Sequence, residues 1–318
     1  MVRKIGFRSA IIEAIREEML RDTRVFMIGE DIEYFYSALK EDFSERILNT
    51  PISESAMVGV GVGATLNGMR PIVEIMFSSL LPLCMDHLVN SARMICYQYG
   101  GEVTCPMVVR ASIGATGRGL GLHHSQSPES FILNAPGLKI VMPSTPYDAK
   151  GLLKSAIRDN NPVVFLEHKL LREKEGSIPE EEFIIPLGKA DVKRVGEDVT
   201  IVATAQMLHK SLEAANKLHK EGISCEVIDL RTLLPLDENT IIESVKKTSR
   251  LITVQESPKA YGYGAEIVAI VAEKALGYLD APVMRVANPG TPVPGTVLLE
   301  QAVIPTVEDI IRVTKEVV

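Results

Sequence analysis

Apolar and polar positions in the first half of the chain follow two different periods. Residues 7–21 place Ile12, Ile15 and Met19 on one helical face, which predicts an amphipathic helix. The next apolar segments are short and bounded by glycine, proline or polar residues, as is typical of buried strands. These segments are VFMIG at 25–29, RPIVEIM at 70–76, PMVVRAS at 106–112, KIVMPS at 139–144 and NPVVFLEH at 161–168.

Predicted helices separate these strands. One is expected over residues 82–97. Another is expected after Thr145-Pro146, because threonine caps a helix N-terminus and proline fits the first helical turn. Strands that alternate with helices indicate a mainly parallel sheet covered on both faces.

The pattern is interrupted at residues 172–188, REKEGSIPEEEFIIPLG, a charged segment with two prolines that we interpret as a linker. Strands and helices alternate again after it. The predicted strands are DVTIVATA at 198–205, SCEVIDL at 224–230, RLITVQE at 250–256 and PVMRVAN at 282–288, with helices over 206–222 and from Asp237, Gly264 and Val307. The sequence therefore predicts an α/β fold of two parallel-sheet domains, residues 1–185 and residues 190–318.

Composition narrows the class of protein. A length of 318 residues suits two domains, and 46% hydrophobic residues suit a soluble protein with a substantial core. The net charge is −7, whereas a nucleic-acid binder typically carries a basic surface patch. No apolar run is long enough for a membrane span. The N-terminal residues are interpreted as mature protein rather than a signal peptide. Four cysteines without a CxxC pair favour a reducing cytoplasm and disfavour structural zinc.

A carboxylate precedes a glycine-rich segment in TPISESAMVGVGVGATLNG, residues 50–68. Glu54 follows Pro51 and Ser53, which suit a helix start, and a glutamate in the first turn stabilises the helix dipole by ~0.3–1 kcal/mol. The segment is not a dinucleotide fingerprint, because it follows no clear strand and Ala64 breaks the glycine order. The residues alone leave open whether Glu54 is a helix-terminal charge or a chemical group.

Two histidines, His123 and His124, lie in GLGLHHSQSPE at 119–129. A metal pair is disfavoured, because adjacent side chains point apart and no partner cluster is nearby. The preceding glycines are expected to form turns rather than a phosphate loop, since no Gly-Lys-Ser/Thr follows. Solvated loop histidines remain an alternative to a functional role.

Seven separated motifs, in one order, resemble the β subunit of the thiamin-diphosphate-dependent 2-oxoacid dehydrogenase family, which includes acetoin dehydrogenase. The resemblance covers essentially the whole chain and implies a pyrimidine-binding fold followed by a transketolase C-terminal-like domain. The motifs are GED at 29–31, TPISES at 50–55, GMRPIVEIMF at 68–77, HSQSPE at 124–129, PGLKIVMPSTPYDAKGLL at 136–153, AIRDNNPVVFLEH at 156–168 and EVIDLRTLLPLD at 226–237.

The resemblance implies roles for four residues. Glu54 would contact a nitrogen of the cofactor's aminopyrimidine ring, and His124 would lie near the reacting carbon of the cofactor and exchange protons with substrate. Met76 and Leu80 would line the cofactor pocket. The family usually has an aspartate and an aromatic where Ser79 and Leu80 stand, so the pocket keeps apolar contact but loses a ring face. No role is assigned to His123.

The resemblance also implies partners. Members bind the diphosphate through Mg²⁺ and a Gly-Asp-Gly segment, which this chain lacks. A separate α subunit is therefore expected to hold diphosphate and Mg²⁺ in an α2β2 heterotetramer. The glycine-rich helix, with Gly59 and Gly63 four residues apart, is expected to pack against its counterpart in a second β chain. The second domain is expected to dock the lipoyl acyltransferase core.

A potassium site is a weaker expectation. AIRDNNPVV at 156–164 matches a segment that binds K⁺ in some relatives, with matching positions Met107, Ala156, Ile157, Asp159 and Asn161. A plain helix C-terminus ended by Asn160-Asn161-Pro162 explains the same residues.

Three functions remain open from the sequence. The leading one is an oxidoreductase subunit that decarboxylates a 2-oxoacid or cleaves acetoin and acylates lipoate. The alternatives are the C-terminal half of a split transketolase and a noncatalytic scaffold subunit of the same fold.

Overall fold

The computed structural model describes residues 2–318. Their internal contacts form two compact units. The first comprises the chain up to Ile113 together with Phe131–Leu187, and the second comprises Gly114–Ser130 and Gly188–Val318. Residues 114–130, which contain both adjacent histidines, thus group with the second unit although they fall within the span 1–185.

The first unit is built around a parallel sheet. Its strands are β1 (Val2–Gly6), β2 (Val25–Gly29), β3 (Ile47–Asn49), β4 (Arg70–Ile75), β5 (Val108–Ile113), β6 (Lys139–Val141), β7 (Val163–His168) and β8 (Glu175–Pro179). Six of them are hydrogen-bonded in the order β6-β7-β5-β4-β2-β3, and every pairing is parallel. The five strands predicted here from apolar runs are confirmed.

Helices cover this sheet. They are α1 (Phe7–Arg21), α2 (Ile32–Phe35), α3 (Ser37–Asp42), α4 (Glu54–Leu66), α5 (Arg93–Gln98), α6 (Ser130–Leu133) and α7 (Pro146–Arg158). The predicted start of α7 is confirmed, since the Thr145 hydroxyl accepts a hydrogen bond from the Asp148 amide at 3.2 Å and Pro146 is the first helical residue. α1 packs on α7, where the buried Lys150 and Lys154 both pair with Glu17.

The predicted helix over residues 82–97 is irregular. Ser78–Cys84 forms a 3₁₀-helix, Asp86–Ala92 a π-helical segment, and only Arg93–Gln98 is α-helical. Pro82 lies inside the first segment and has no backbone N–H to donate, which disfavours a regular α-helix there. π-helical segments are frequent at functional sites.

The predicted linker over 172–188 is largely part of the first unit. β8 pairs antiparallel with β1, from Val2 opposite Pro179 to Gly6 opposite Glu175. Further on, Phe183 stacks on Tyr147 with ring centroids 4.6 Å apart. The prediction of a linker was wrong because this short strand has only one buried residue, Ile178, and its other positions do not show the apolar pattern of a strand.

The second unit has its own mainly parallel sheet. Its strands are β9 (Asp191–Arg194), β10 (Val199–Ala203), β11 (Cys225–Asp229), β12 (Thr232–Leu234), β13 (Leu251–Pro258) and β14 (Met284–Asn288). Five are hydrogen-bonded in the order β14-β13-β10-β11-β9, with only β9 antiparallel. The predicted α/β class with two mainly parallel sheets is confirmed.

The helices of the second unit are α8 (Ala205–His219), α9 (Glu238–Thr248), α10 (Tyr263–Ala275), α11 (Val297–Val303) and α12 (Val307–Val317). The apolar faces of α8 and α12 pack with the strands in one core that includes Ile201, Leu208 and Ile310. Among residues 2–318, every helix is too short or too polar to cross a lipid bilayer.

Candidate active site

Glu54 is the first residue of α4, and its side chain is only 6% exposed. The Ser53 side chain makes no capping hydrogen bond, so Glu54 itself supplies the negative charge at this helix N-terminus. Within residues 2–318, no hydrogen bond or ion pair involves the Glu54 carboxylate. Its oxygens are therefore open to a hydrogen bond from a ligand that carries a donor.

The charge of Glu54 affects two neighbouring groups. Burial raises the pKa of Glu30, and repulsion from Glu54 and then Asp31 raises it further. Burial likewise raises the pKa of the Cys84 thiol to about 12, with an added contribution from Glu54. The N-terminus of α4 is therefore an acidic location, where the charge of Glu54 disfavours the charged forms of Glu30 and Cys84.

The glycines of α4 meet different surroundings. A Cβ on Gly61 would lie 2.8 Å from Met107 Sδ and 2.9 Å from Val73 Cγ2, so Gly61 brings the helix close to the sheet. A Cβ on Gly59 would lie 3.0 Å from the His87 imidazole, within the same chain. Gly63 has nothing within 4 Å and lies on the exposed face. That open face is available for the expected packing against a second β chain.

A cavity of about 120 Å³ lies at the carboxyl ends of β2, β4, β5 and β7. Ligands of parallel α/β sheets bind at this edge. Met76, predicted to contact cofactor, forms part of its wall. The lining residues are Arg8, Ile11, Glu30, Phe35, Tyr36, Glu74, Met76, Phe77, Arg110, Glu167 and Arg172. Because Glu30 is both a lining residue and sensitive to the charge of Glu54, the cavity lies within electrostatic range of Glu54.

A buried arginine organises the cavity. Arg110, 1% exposed, places Nη2 2.6 Å from Glu167 Oε1 and Nη1 2.8 Å from Glu74 Oε2, and it donates to the Tyr36 hydroxyl at 2.8 Å. Two carboxylates share this one guanidinium. Burial raises the pKa of Glu74 to about 7 although Arg110 opposes the shift, and the charge of Glu167 adds to it. One carboxyl of the cluster therefore binds a proton near neutral pH.

Leu80 is half-buried in the 3₁₀-helix Ser78–Cys84, next to α4, and is not among the residues that line the cavity. Its carbonyl accepts a contact from the Cys84 thiol at 3.9 Å. The structure therefore brings Glu54 close to the 78–84 segment but gives Leu80 no contact with the cavity that Met76 lines.

His124 belongs to the second unit. It ends the short 3₁₀-helix Leu122–His124, where its amide donates to the Gly121 carbonyl at 3.2 Å, and its side chain is half-buried while that of His123 is exposed. The preceding glycines do form turns, since Gly114, Gly117, Gly119 and Gly121 all have positive φ. Residues 114–130 close on themselves through the Gly114 amide and the Gln126 carbonyl at 3.0 Å.

Most of the predicted potassium ligands already accept hydrogen bonds or pair with a charged side chain within the protein. The Ile157 carbonyl accepts from Arg70 Nε at 3.0 Å, and the Asp159 carbonyl accepts from Arg70 Nη2 at 2.6 Å. Lys139 pairs with the Asp159 carboxylate, and the Met107 carbonyl accepts from the Val163 amide at 2.9 Å. The other two predicted ligands, Ala156 and Asn161, flank the same helix C-terminus: the Ala156 carbonyl accepts from the Asp159 amide, and the Asn161 amide donates to the Asp159 carboxylate. Across residues 2–318, no cluster of three or more His, Cys, Asp or Glu side chains could hold a metal.

Sequence reasoning missed the charged residues of the cavity. Glu74, Arg110 and Glu167 each lie in a buried, mostly apolar strand, and all three strands are central in the sheet. A lone charge inside a buried strand is costly unless it is paired. Three charged residues in three predicted parallel strands could therefore have indicated a buried charged cluster.

Sequence reasoning also missed a buried carboxyl group in the HSQSPE motif. Glu129 is 1% exposed, and burial raises its pKa to about 7, with a further contribution from the charge of Glu256. A hydrogen bond with Ser257 opposes that shift.

The fold and this site define a class of protein: two α/β units, the first with a buried glutamate at the start of a glycine-rich helix beside a cavity at the sheet's carboxyl edge. Two family models match the chain in that order. The transketolase pyrimidine binding domain matches residues 3–174, and the transketolase C-terminal domain matches residues 188–310.

Curated relatives narrow the class. The chain is 45% identical to the 2-oxoisovalerate dehydrogenase subunit beta of Bacillus subtilis, over 91% of this chain and 90% of that protein. It is 45% identical to the acetoin:2,6-dichlorophenolindophenol oxidoreductase subunit beta of Cupriavidus necator, over 98% and 96%. It is 44% identical to the pyruvate dehydrogenase E1 component subunit beta of Bacillus subtilis, over 97% of each. The chain therefore belongs to the family of dehydrogenase E1 beta subunits, and the resemblance and the two domain types predicted from sequence are confirmed.

A solved structure described as a split gene transketolase, an inactive beta4 tetramer, matches the fold with a TM-score of 0.80 over 98% of each chain. Its sequence identity is 24%, so this likeness concerns the fold alone.

Proposed function

We propose that this chain is the β subunit of a thiamin-diphosphate-dependent dehydrogenase that decarboxylates a 2-oxoacid, or cleaves acetoin, and acylates lipoate. The observation that carries the proposal is the position of Glu54 in a chain of the E1 beta family. Glu54 is a buried residue that begins α4, and its carboxylate has no donor within residues 2–318. Relatives named for three substrates are about equally similar, at 45%, 45% and 44% identity. The proposal is therefore limited to this substrate class.

The residues fit the aminopyrimidine half of the cofactor. The Glu54 carboxylate can accept a hydrogen bond, and a protonated ring nitrogen would donate one. Thiamin diphosphate, when bound, supplies a nucleophilic carbon and an electron sink for loss of the carboxyl group. Glu54 would hold the proton at the ring nitrogen, and the apolar side chains of Met76 and Leu80 would exclude water from the ring.

His124 would transfer protons at the substrate oxygen or at the dithiolane of lipoate. An imidazole has one nitrogen that can donate a proton and one that can accept a proton, so it suits both directions of transfer. The role of His124 is proposed from the HSQSPE resemblance alone.

The remaining cofactor groups are assigned to a partner. We propose that an α subunit holds diphosphate and Mg²⁺ in an α2β2 tetramer, because this chain contains no Gly-Asp-Gly segment. The relatives are themselves named as beta subunits. The lipoyl acyltransferase core is proposed as a further partner, and the reducing cytoplasm as the compartment, which the four free thiols suit.

Potassium is not part of this proposal. Arg70 and Lys139 already bring positive charge to the carbonyls of Ile157 and Asp159 and to the Asp159 carboxylate. A cation would add repulsion there.

Glu54→Gln tests the proposal in the chain assembled with its α partner. The amide cannot hold the proton at the ring nitrogen, so kcat for 2-oxoacid or acetoin is expected to fall by about 10²–10⁴-fold, with assembly unchanged by size-exclusion chromatography. Glu45→Gln, at an exposed position, is the matched control and should keep full turnover. An active Glu54→Gln enzyme would contradict the proposed chemistry and favour a scaffold role.

A further inference from the structure

The loop that carries His124 is exposed along much of its length. Arg118, Leu120 and Leu122 are exposed, and the glycines between them take positive φ, so the loop has few apolar contacts of its own. Such segments open at low free-energy cost unless other groups hold them. The position of His124 therefore depends on contacts from outside the loop.

Glu300 supplies such contacts. It lies on α11 and is 1% exposed, and its carboxylate accepts hydrogen bonds from two loop amides, that of Gly117 at Oε1 and that of Gly119 at Oε2, 3.2 Å away. Amides close together in a turn of this kind form a concave anion site. Here the anion is the Glu300 carboxylate of the protein itself. The glycine-rich turn therefore binds a side chain and does not require a phosphate ligand.

Other contacts also hold the loop against the second unit. A Cβ on Gly119 would lie 2.7 Å from the Gly295 carbonyl, so the loop lies directly on the segment before α11. At the start of the loop, the Ala115 amide donates to Glu256 Oε1 at 2.6 Å. After His124, Gln126 Oε1 accepts from the Val293 amide at 3.3 Å. These contacts hold the loop at its start, in its middle and after His124, and the middle contact depends on Glu300.

A role confined to α11 does not account for Glu300. It is the fourth residue of that helix, and its own amide donates to the Thr296 carbonyl at 2.8 Å, as in any helical turn. Its two carboxylate oxygens instead leave the helix and accept from the loop. Glutamine has one acceptor oxygen, and its amide group would face a backbone N–H, so it could not replace both bonds.

We infer that Glu300 is a positioning residue: its carboxylate fixes the glycine-rich loop and thereby the place of His124 during acyl transfer. The anchoring of the loop is independent of the reaction. The effect on acyl transfer rests on the function proposed for His124.

The test uses Glu300→Gln and, as an independent disturbance of the same contact, Gly119→Ala, whose Cβ would collide with the Gly295 carbonyl. Glu316→Gln, exposed on α12, is the control. Trypsin cleavage after Arg118 is measured on the full chain by mass spectrometry. Loss of the contact between Glu300 and the loop is expected to raise the cleavage rate by about tenfold in both variants and not in the control.

Turnover is measured on the same variants assembled with the α partner. Misplacement of a proton donor lowers kcat by about tenfold or more, and KM for the 2-oxoacid stays within about twofold, because substrate binding does not use the loop anchor. The double variant should be no worse than either single one, since both break one contact.

Each result decides the inference. Unchanged cleavage at Arg118 in both variants overturns the anchoring role, and faster cleavage with unchanged kcat overturns the positioning role. If the unaltered assembly turns over none of pyruvate, branched-chain 2-oxoacids or acetoin, the proposed function fails, while the trypsin measurement still decides whether Glu300 anchors the loop.

Discussion

Gly61 and Gly63 lie two residues apart on α4 and meet opposite surroundings. Gly61 faces Met107 and Val73 at distances that leave no room for a methyl group, whereas Gly63 faces open space. Sequence spacing alone drew attention to Gly59 and Gly63, because they share a helical face. The structure adds that Gly61 sets how closely the helix approaches the sheet, and with it the place of Glu54.

Alanine at these two positions should therefore have opposite effects. Gly61→Ala is expected to lower the free energy of unfolding by about 1–3 kcal/mol through overpacking. Gly63→Ala is expected to raise it by about 0.5–1 kcal/mol, because alanine favours the helix and nothing obstructs it. Urea unfolding of the isolated chain, followed by circular dichroism, measures both. Equal effects of the two substitutions would contradict the packing described for α4.

At the scale of elements, the carboxyl ends of β4, β5 and β7 bring three charges together. Arg110 pairs with both Glu74 and Glu167, which leaves the buried cluster one negative charge in excess when both acids are ionised. Burial raises the pKa of Glu74 to about 7 from an ordinary value of 4.5. The fold therefore favours the protonated form of Glu74.

This shift gives a pH dependence of known sign. The stabilising contribution of Glu74 is complete below about pH 4.5 and is lost as the pH rises through about 7, because the unfolded chain ionises more readily. Between pH 5 and pH 8 the free energy of unfolding of the native chain should fall by about 2–3 kcal/mol more than that of Glu74→Gln, whose side chain stays neutral. Urea midpoints at the two pH values measure the difference.

Glu175→Gln, at an exposed position of β8, is the control and should retain the pH dependence of the native chain. Equal pH dependence in the native chain and Glu74→Gln would show that Glu74 is ionised throughout this range.

At the scale of the whole molecule, the chain is one part of a proposed assembly. The purified chain alone should show no turnover with 2-oxoacids or acetoin, because it has no Gly-Asp-Gly segment for diphosphate and Mg²⁺. Addition of the α subunit should restore turnover and depend on Mg²⁺, as a chelator will show. Robust turnover by the isolated chain would contradict the assignment of the diphosphate to a partner.

The net charge of −7 suggests how the acyltransferase core is recognised. A basic binding module would be attracted by the acidic chain, and this attraction weakens once the Debye length shrinks from about 10 Å at 0.1 M salt to about 3 Å at 1 M. Affinity for the core, measured by calorimetry, should fall by about tenfold or more over that range. A salt-independent affinity would argue against electrostatic docking.

Much of the architecture could be predicted from local patterns. The strands over 25–29, 106–112 and 161–168 are mostly apolar because both faces of a parallel sheet are covered. Thr145-Pro146 marked the start of α7. The strand within 172–188 escaped prediction, since its pairing with β1 joins two segments at opposite ends of the first unit's chain. The irregular helix over 78–98 escaped it for a related reason, because apolar periodicity does not distinguish 3₁₀, α and π turns.

By itself the sequence determined the class of fold, the family and the candidate acid Glu54, because hydrophobic periodicity and ordered motifs are local properties of the chain. Only the tertiary structure decided which charges share a buried site. Glu74, Arg110 and Glu167 are distant in the chain and meet through parallel register, and Glu300 reaches a loop far before it in the sequence through the folding of the second unit. Burial and pairing depend on which strands and loops become neighbours, and that is settled by the packing of the whole chain.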